Sequence, residues 1–373
     1  MVATLFAAVL LALAPVRADD ARAQIDALLT SIEAAVLAGD AAAYIAHVDP
    51  ADPVFLKEQQ NWAADFKRHV PVEFDIALVA DPEARGTSLF APIRFSWRLD
   101  QWKNPRTLDF TARFAPSPKD SDSPHPWLYS GESWETLDGE GVLVFFPEGR
   151  LALARQVAQS FPEVRAHVED GFQLKVDRVQ EVKLYPSMRH LQHSIYLSYT
   201  DGLGGWNEPG ESVKLLATGL NERAIKPLLA HEFGHVATFE MGDHATHMPW
   251  WILEGVAELA SESFSRGRRG VDRAVRAWAR TGALADWDKL ADFHDCPPEL
   301  QGYVYSQGHH MVGYISDTHG REARNAWLRA MAQGQSLDQA SREALGLSFD
   351  ELDAAWRASV APAQEPAGEP EGP

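Results

Sequence analysis

The chain has 373 residues, 45% of them hydrophobic and 23% charged, an ordinary globular composition long enough for two domains. Its formal net charge of −19 repels phosphate backbones and anionic lipid surfaces, so no nucleic acid is expected as a partner. The single cysteine, Cys296, excludes an internal disulfide, and its setting Asp295-Cys296-Pro297-Pro298 fits a loop or packing residue better than a catalytic thiol.

Residues 1–18 read as a signal peptide. A short apolar core at 5–13 precedes Val16-Arg17-Ala18, a small-residue setting for cleavage before Asp19. The leading segment carries no Lys or Arg ahead of that core, so a buried N-terminal helix is the competing reading. The apolar run is too short to span a membrane. The expectation is an exported protein, periplasmic or extracellular, with no membrane span.

Apolar positions Ile25, Leu28, Leu29, Ile32, Ala35 and Val36 recur at helical spacing and predict a helix within 20–48, with a stop and restart at Gly39-Asp40. From 72 to 146 the pattern turns to β-rich segments, at 74–79, 93–97, 107–114, 127–130 and 142–146, separated by Pro, Ser, Asp and Gly clusters. Helices followed by an antiparallel sheet make an α+β module over 19–148. In element order it resembles the cone-shaped nuclear-transport-factor-2-like fold; its role is not readable.

A second domain is expected over 149–360. A helix near 149–168 leads to a strand at 179–185, a Gly-rich loop at 202–206 and a strand at 212–216, and helices then follow from 222 onward. Residues 361–373 contain no large apolar side chain and are predicted to be disordered. The fold class is therefore α+β, with a mostly helical second domain containing a small sheet.

The chemistry concentrates in His231-Glu232-Phe233-Gly234-His235, within a helical pattern that Asn221 is placed to cap and Gly242 to end. Spacing of i, i+4 puts both imidazoles on one face, where they can meet one tetrahedral ion at roughly 2.0–2.1 Å. Glu232 is placed beside them to take a proton from water. Eighteen residues after His235, a second predicted helix, Trp250-Trp251-Ile252-Leu253-Glu254-Gly255-Val256-Ala257-Glu258, brings Glu254 as third ligand. Such a site with three protein ligands keeps one position open, as catalytic zinc requires. Glu258, one turn on, is placed to accept the other N–H of a ligating imidazole, His231 in particular.

These residues resemble the gluzincin metallopeptidases, whose pattern is HExxH, eighteen residues, then a Glu in a Glu-Gly-x-Ala-Glu helix. The stretch 250–255 is most similar to the peptidase MA-like group, and the resemblance runs from about 180 to 360, including 346–356. It implies a zincin-like domain, a bound Zn2+ and hydrolysis of a peptide or protein substrate. It further implies an oxyanion-stabilising Tyr or His from a later helix. Tyr305 matches best, with Tyr303, His309 and His310 as alternatives. The segment Gly204-Gly205-Trp206-Asn207-Glu208 is similar to the exopeptidase motif of zinc aminopeptidases with its Asn and Glu reversed, which makes Glu208 a candidate for substrate binding. The strand 212–216 is the candidate edge for an extended substrate. His244 and His247 could form a second metal site or a solvated loop. Two other functions compete: a zinc amidohydrolase on a non-peptide amide, and a structural zinc module acting as a binding protein. Endo- versus exopeptidase action and oligomeric state are not readable.

Overall fold

Helix-capping residues set the start of the first unit. In this computed structural model, which describes residues 18–118, 122–265 and 267–361, α1 (Ala18–Leu37) and α2 (Ala41–Ile45) meet at Gly39, which takes a φ of +66°, and Asp40, whose carboxylate accepts the Ala43 N–H. Asp52 accepts from Val54 and Phe55 and starts α3 (Pro53–Arg68). The expected signal peptide and the expected disordered segment, save Ala18 and Ala361, lie outside the described residues.

Five antiparallel strands follow: β1 (Glu73–Leu78), β2 (Glu83–Arg85), β3 (Ser88–Arg98), β4 (Arg106–Pro116) and β5 (Trp127–Glu132), in the order β1-β3-β4-β5 with β2 beside β3. Alternation along β3 sends Leu89, Ala91, Ile93, Phe95 and Trp97 to one face, where they meet Trp62 and Phe66 of α3 in a core of their own. Residues 192–200 complete this unit. The Trp97 indole donates to the Leu197 carbonyl at 3.1 Å, the Trp62 indole to His193 at 3.0 Å, and Ser198 Oγ to Asp65 at 2.6 Å.

The second unit takes residues 134–191 and 201 onward. Its sheet comprises β6 (Glu135–Gly139), β7 (Val142–Phe146), β8 (Gln180–Tyr185), β9 (Gly205–Trp206) and β10 (Val213–Leu216), in the order β6-β7-β8-β10-β9. The boundary thus differs from the one expected near 148. The β6–β7 hairpin pairs with β8, in parallel, rather than with the first sheet. Alternating sequence shows that a strand has a buried face but not which sheet supplies its neighbour.

The helices of this unit are α4 (Leu151–Phe172), α5 (Met188–Ile195), whose last residues belong to the first unit, α6 (Glu222–Phe239), α7 (Trp250–Ser261), α8 (Gly267–Thr281), α9 (Gln301–His319), α10 (Arg321–Ala332), α11 (Leu337–Leu345) and α12 (Phe349–Val360). One core joins the sheet to α4, α6, α7 and α9, with Phe161 edge-on to Phe233 at 5.2 Å and Trp251 against Trp287 at 4.2 Å. Asn221 caps α6 as expected, accepting from Arg223. Gly242 does not end that helix in a left-handed turn. It allows close approach instead, since a Cβ there would stand 2.8 Å from the Ala332 carbonyl carbon. Among the described residues no helix is long and apolar enough to cross a membrane.

Candidate metal centre

Two helices carry the site. α6 supplies His231, Glu232 and His235, and α7 supplies Glu254 and Glu258. Gly234 lets them approach: a Cβ there would lie 2.9 Å from Ala260 Cβ and 3.1 Å from Ala257 Cα. His231 Nε2 stands 3.3 Å and His235 Nε2 3.6 Å from Glu254 Oε2. One ligand atom from each of His231, His235 and Glu254 lies within 4.8 Å of the others, and no other such group occurs among the described residues.

This arrangement fits a zinc ion. Tetrahedral ligands at roughly 2.0–2.1 Å from the metal stand about 3.3 Å apart, close to the spacings found. Glu254 Oε2 is buried without a hydrogen-bond partner, although two imidazole nitrogens converge on it. Such an orphaned carboxylate oxygen is costly unless a cation completes it. The surrounding charges agree. Burial alone would raise the Glu254 carboxyl, but His235 and His231 outweigh it and hold it far below the ordinary range. Burial alone would lower His231, but the carboxylates of Glu254 and Glu258, with Glu232 nearby, push it well above its usual value. Positive charge is therefore favoured at the point where the ligand atoms meet.

The remaining groups around this point are ordered. Glu258 Oε1 lies 3.3 Å from His231 Nδ1, the partner expected for it. The Trp250 indole N–H donates to Glu254 Oε1 at 2.9 Å. Glu232 is 4% exposed, and burial raises its carboxyl, tempered by His231 and His235. Of the four oxyanion candidates, Tyr305 alone has a ring contact with a candidate ligand, its centroid 6.4 Å from that of His231. Tyr303 stacks on Trp278 at 4.0 Å, His309 bonds Glu262 at 2.9 Å, and His310 takes the Trp356 indole N–H at 2.9 Å.

Other expectations resolve differently. β10 is interior, flanked by β8 and β9, so the edge strand on its side of the sheet is β9, two residues long. Its Gly205 abuts Glu232, where a Cβ would stand 2.7 Å from Glu232 Cδ. Glu208 lies in the turn between β9 and β10, its carbonyl accepting the Glu211 N–H at 3.0 Å. His244 caps and His247 ends a single 3-10 turn, their rings 5.7 Å apart, and among the described residues they join no metal-capable group. Cys296 is a buried free thiol that burial pushes up, not an activated one. Sequence reasoning misses the roles of Trp250, Gly205, Gly255 and Gly308. Gly255 and Gly308, which meet between α7 and α9, carry one signal, glycine inside a helix, where it costs stability unless packing requires it; Trp250 and Gly205 carry none.

Two imidazoles one turn apart, a carboxylate from a crossing helix and a buried glutamate beside them define a centre of the metallohydrolase type. The chain belongs to the peptidase MA superfamily, whose family model matches residues 165–362 and so covers every one of these groups. No curated protein matches it in sequence. Among solved structures, an M1 zinc metallopeptidase from Deinococcus radiodurans is 17% identical with a TM-score of 0.36, covering 81% of this chain and 64% of that one. Yeast LTA4 hydrolase in complex with bestatin is 9% identical with a TM-score of 0.39, covering 80% of this chain and 62% of that one. The chain thus spans less than two thirds of the length of either.

Proposed function

We propose that the chain is a zinc-dependent metallopeptidase acting on peptide or protein substrates. The observation that carries this reading is the convergence of His231 Nε2, His235 Nε2 and the otherwise unpartnered Glu254 Oε2, with Glu232 buried beside them. A bound zinc ion would polarise a carbonyl and lower the pKa of a water in its open position. Glu232 is placed to take a proton from the attacking water and to return it to the leaving amine. Tyr305, partly exposed beside His231, donates its O–H to the developing oxyanion. Glu258 holds the His231 ring at Nδ1, so that Nε2, turned toward Glu254 Oε2, would be available to the ion.

The buried Glu232 favours catalysis over a structural zinc module, since a purely structural site has no use for a base there. Peptide rather than another amide rests on family membership. Glu208 is retained as a candidate for binding a substrate amine. Export rests on the composition of residues 1–18, and fractionation of a culture with N-terminal sequencing tests it, uncleaved protein confined to the cytosolic fraction being the contrary result.

The decisive experiment pairs metal analysis with hydrolysis. The wild-type chain is expected to purify with one equivalent of zinc and Glu254→Ala with far less. Glu232→Gln is expected to keep the zinc and lose turnover of a mixed peptide library. Stoichiometric zinc in Glu254→Ala refutes the ligand set. Equal inertness of wild type and Glu232→Gln across the library favours the binding-protein reading.

A further inference from the structure

Glu254 offers two oxygens, and the structure treats them differently. Oε2 faces both imidazole Nε2 atoms and has no hydrogen-bond partner, whereas Oε1 accepts the Trp250 indole N–H at 2.9 Å. A carboxylate can bind a cation through one oxygen or through both. Binding through both would occupy the coordination position that catalytic zinc keeps open. An indole is a donor only, so its bond is available to whichever oxygen does not ligate.

The indole is itself fixed. Trp250 is 8% exposed and opens α7 one turn before Glu254, on the same face. Its backbone N–H donates to the Ala291 carbonyl at 2.7 Å. Its ring meets Phe293 edge-on at 5.0 Å and Tyr305 at 6.1 Å. The segment carrying Ala291 and Phe293 therefore grips Trp250 by backbone and ring together. A donor held this firmly keeps its hydrogen bond at little further entropic cost.

We propose that Trp250 is a positioning residue of the metal centre, holding Glu254 Oε1 so that Oε2 alone is presented to the ion and the open position is preserved. This rests on the metal-centre reading above. The test uses the full chain loaded with zinc and, separately, with cobalt(II), whose visible spectrum reports coordination number. Trp250→Phe keeps a ring against Phe293 and Tyr305 and removes the N–H. Its zinc affinity, measured by chelator competition, is expected to fall roughly 10- to 100-fold, the usual effect of losing an outer partner of a ligand. Its cobalt spectrum is expected to shift from the intense four-coordinate form toward the weaker five-coordinate one. Trp250→His, which retains a ring N–H, is expected to bind zinc more tightly than Trp250→Phe. Wild-type affinity and spectrum in Trp250→Phe overturn the proposal, as does equal affinity of the Phe and His variants. Should the wild-type chain itself take up no zinc, the metal-centre reading fails instead, and the two failures are distinguishable.

Discussion

Gly255 and Gly308 meet where α7 crosses α9: a Cβ on Gly255 would stand 2.5 Å from the carbonyl carbon of Gly308. A Cβ on Gly308 would in turn run into the Trp251 carbonyl. Because Gly255 follows Glu254 and Gly308 lies three residues after Tyr305, the glycine pair sets how near Tyr305 comes to the candidate ligands His231 and Glu254.

Gly308→Ala is therefore expected to destabilise the protein by about 1–3 kcal/mol, the usual range for overpacking, and to lower peptide turnover by displacing Tyr305. Gly313→Ala on the same helix, where a Cβ meets nothing within 4 Å, is the control. It is expected to gain roughly 0.5–1 kcal/mol by removing a helical glycine. Thermal melts of the two variants check this, and equal losses would contradict the crossing geometry.

Tyr305→Phe is expected to lower kcat roughly 100- to 1,000-fold, the range for removing one oxyanion donor, with zinc content unchanged and KM little altered. Tyr303→Phe, whose ring stacks on Trp278 at 4.0 Å, is expected to leave kcat within a few-fold of wild type. Steady-state kinetics on one peptide separate the two. A larger loss in the Tyr303 variant would transfer the role to that residue.

Glu169 supplies a pH-dependent prediction away from the site. Burial alone would raise its carboxyl, but the Lys175 ammonium at 2.6 Å, the Arg165 guanidinium at 2.8 Å and the Val176 N–H at 3.2 Å outweigh it and hold it below the ordinary value. A carboxyl lowered in the folded state adds stability above its ordinary value of 4.5, and that stability is lost as pH falls through the lowered folded value. Glu169→Gln should thus cost about 1–3 kcal/mol at neutral pH, with the difference from wild type shrinking as pH falls below 4.5. A difference in melting temperature that stays constant from pH 7 to about pH 3 would remove this account.

The legible parts of the sequence are those where chemistry demands fixed residue types at fixed spacing. His231, Glu232, His235 and Glu254 can be read from the chain because i, i+4 is a property of any helix and a crossing helix needs a certain length of connection to return. The helical second domain and the alternating strands of the first sheet are legible for the same local reason. What is hidden depends on contacts between distant segments. The sheet to which β7 belongs is decided by β8, and the edge is a two-residue strand too short to show any period. The bond from the Trp250 indole to Glu254 Oε1 has no signature in the sequence, because it depends on how the side chains are turned on α7. Gly308 and Gly255 acquire meaning only as a pair.

Gly205 places the last constraint on Glu232. The carboxylate of Glu232 occupies the space a side chain on β9 would fill, with Cδ 2.7 Å and Cγ 2.9 Å from the position of a Cβ at Gly205. Real Cβ atoms do not approach so closely, so Gly205→Ala must move either the strand or the glutamate. β9 is held by β10 through Lys214 and Leu215, whereas Glu232 can rotate about its side-chain bonds. The glutamate is expected to yield, swinging its carboxylate out of its buried place beside His231 and His235. Zinc content should therefore remain at wild-type level, since His231, His235 and Glu254 are untouched, while kcat falls toward that of Glu232→Gln. A misplacement of about 1 Å at a reacting group can by itself cost on the order of 100-fold. Combining Gly205→Ala with Glu232→Gln should add little further loss, because both changes act through one carboxylate. Full additivity of the two in kcat would show that Gly205 acts on catalysis by another route, such as the register of a substrate strand on β9.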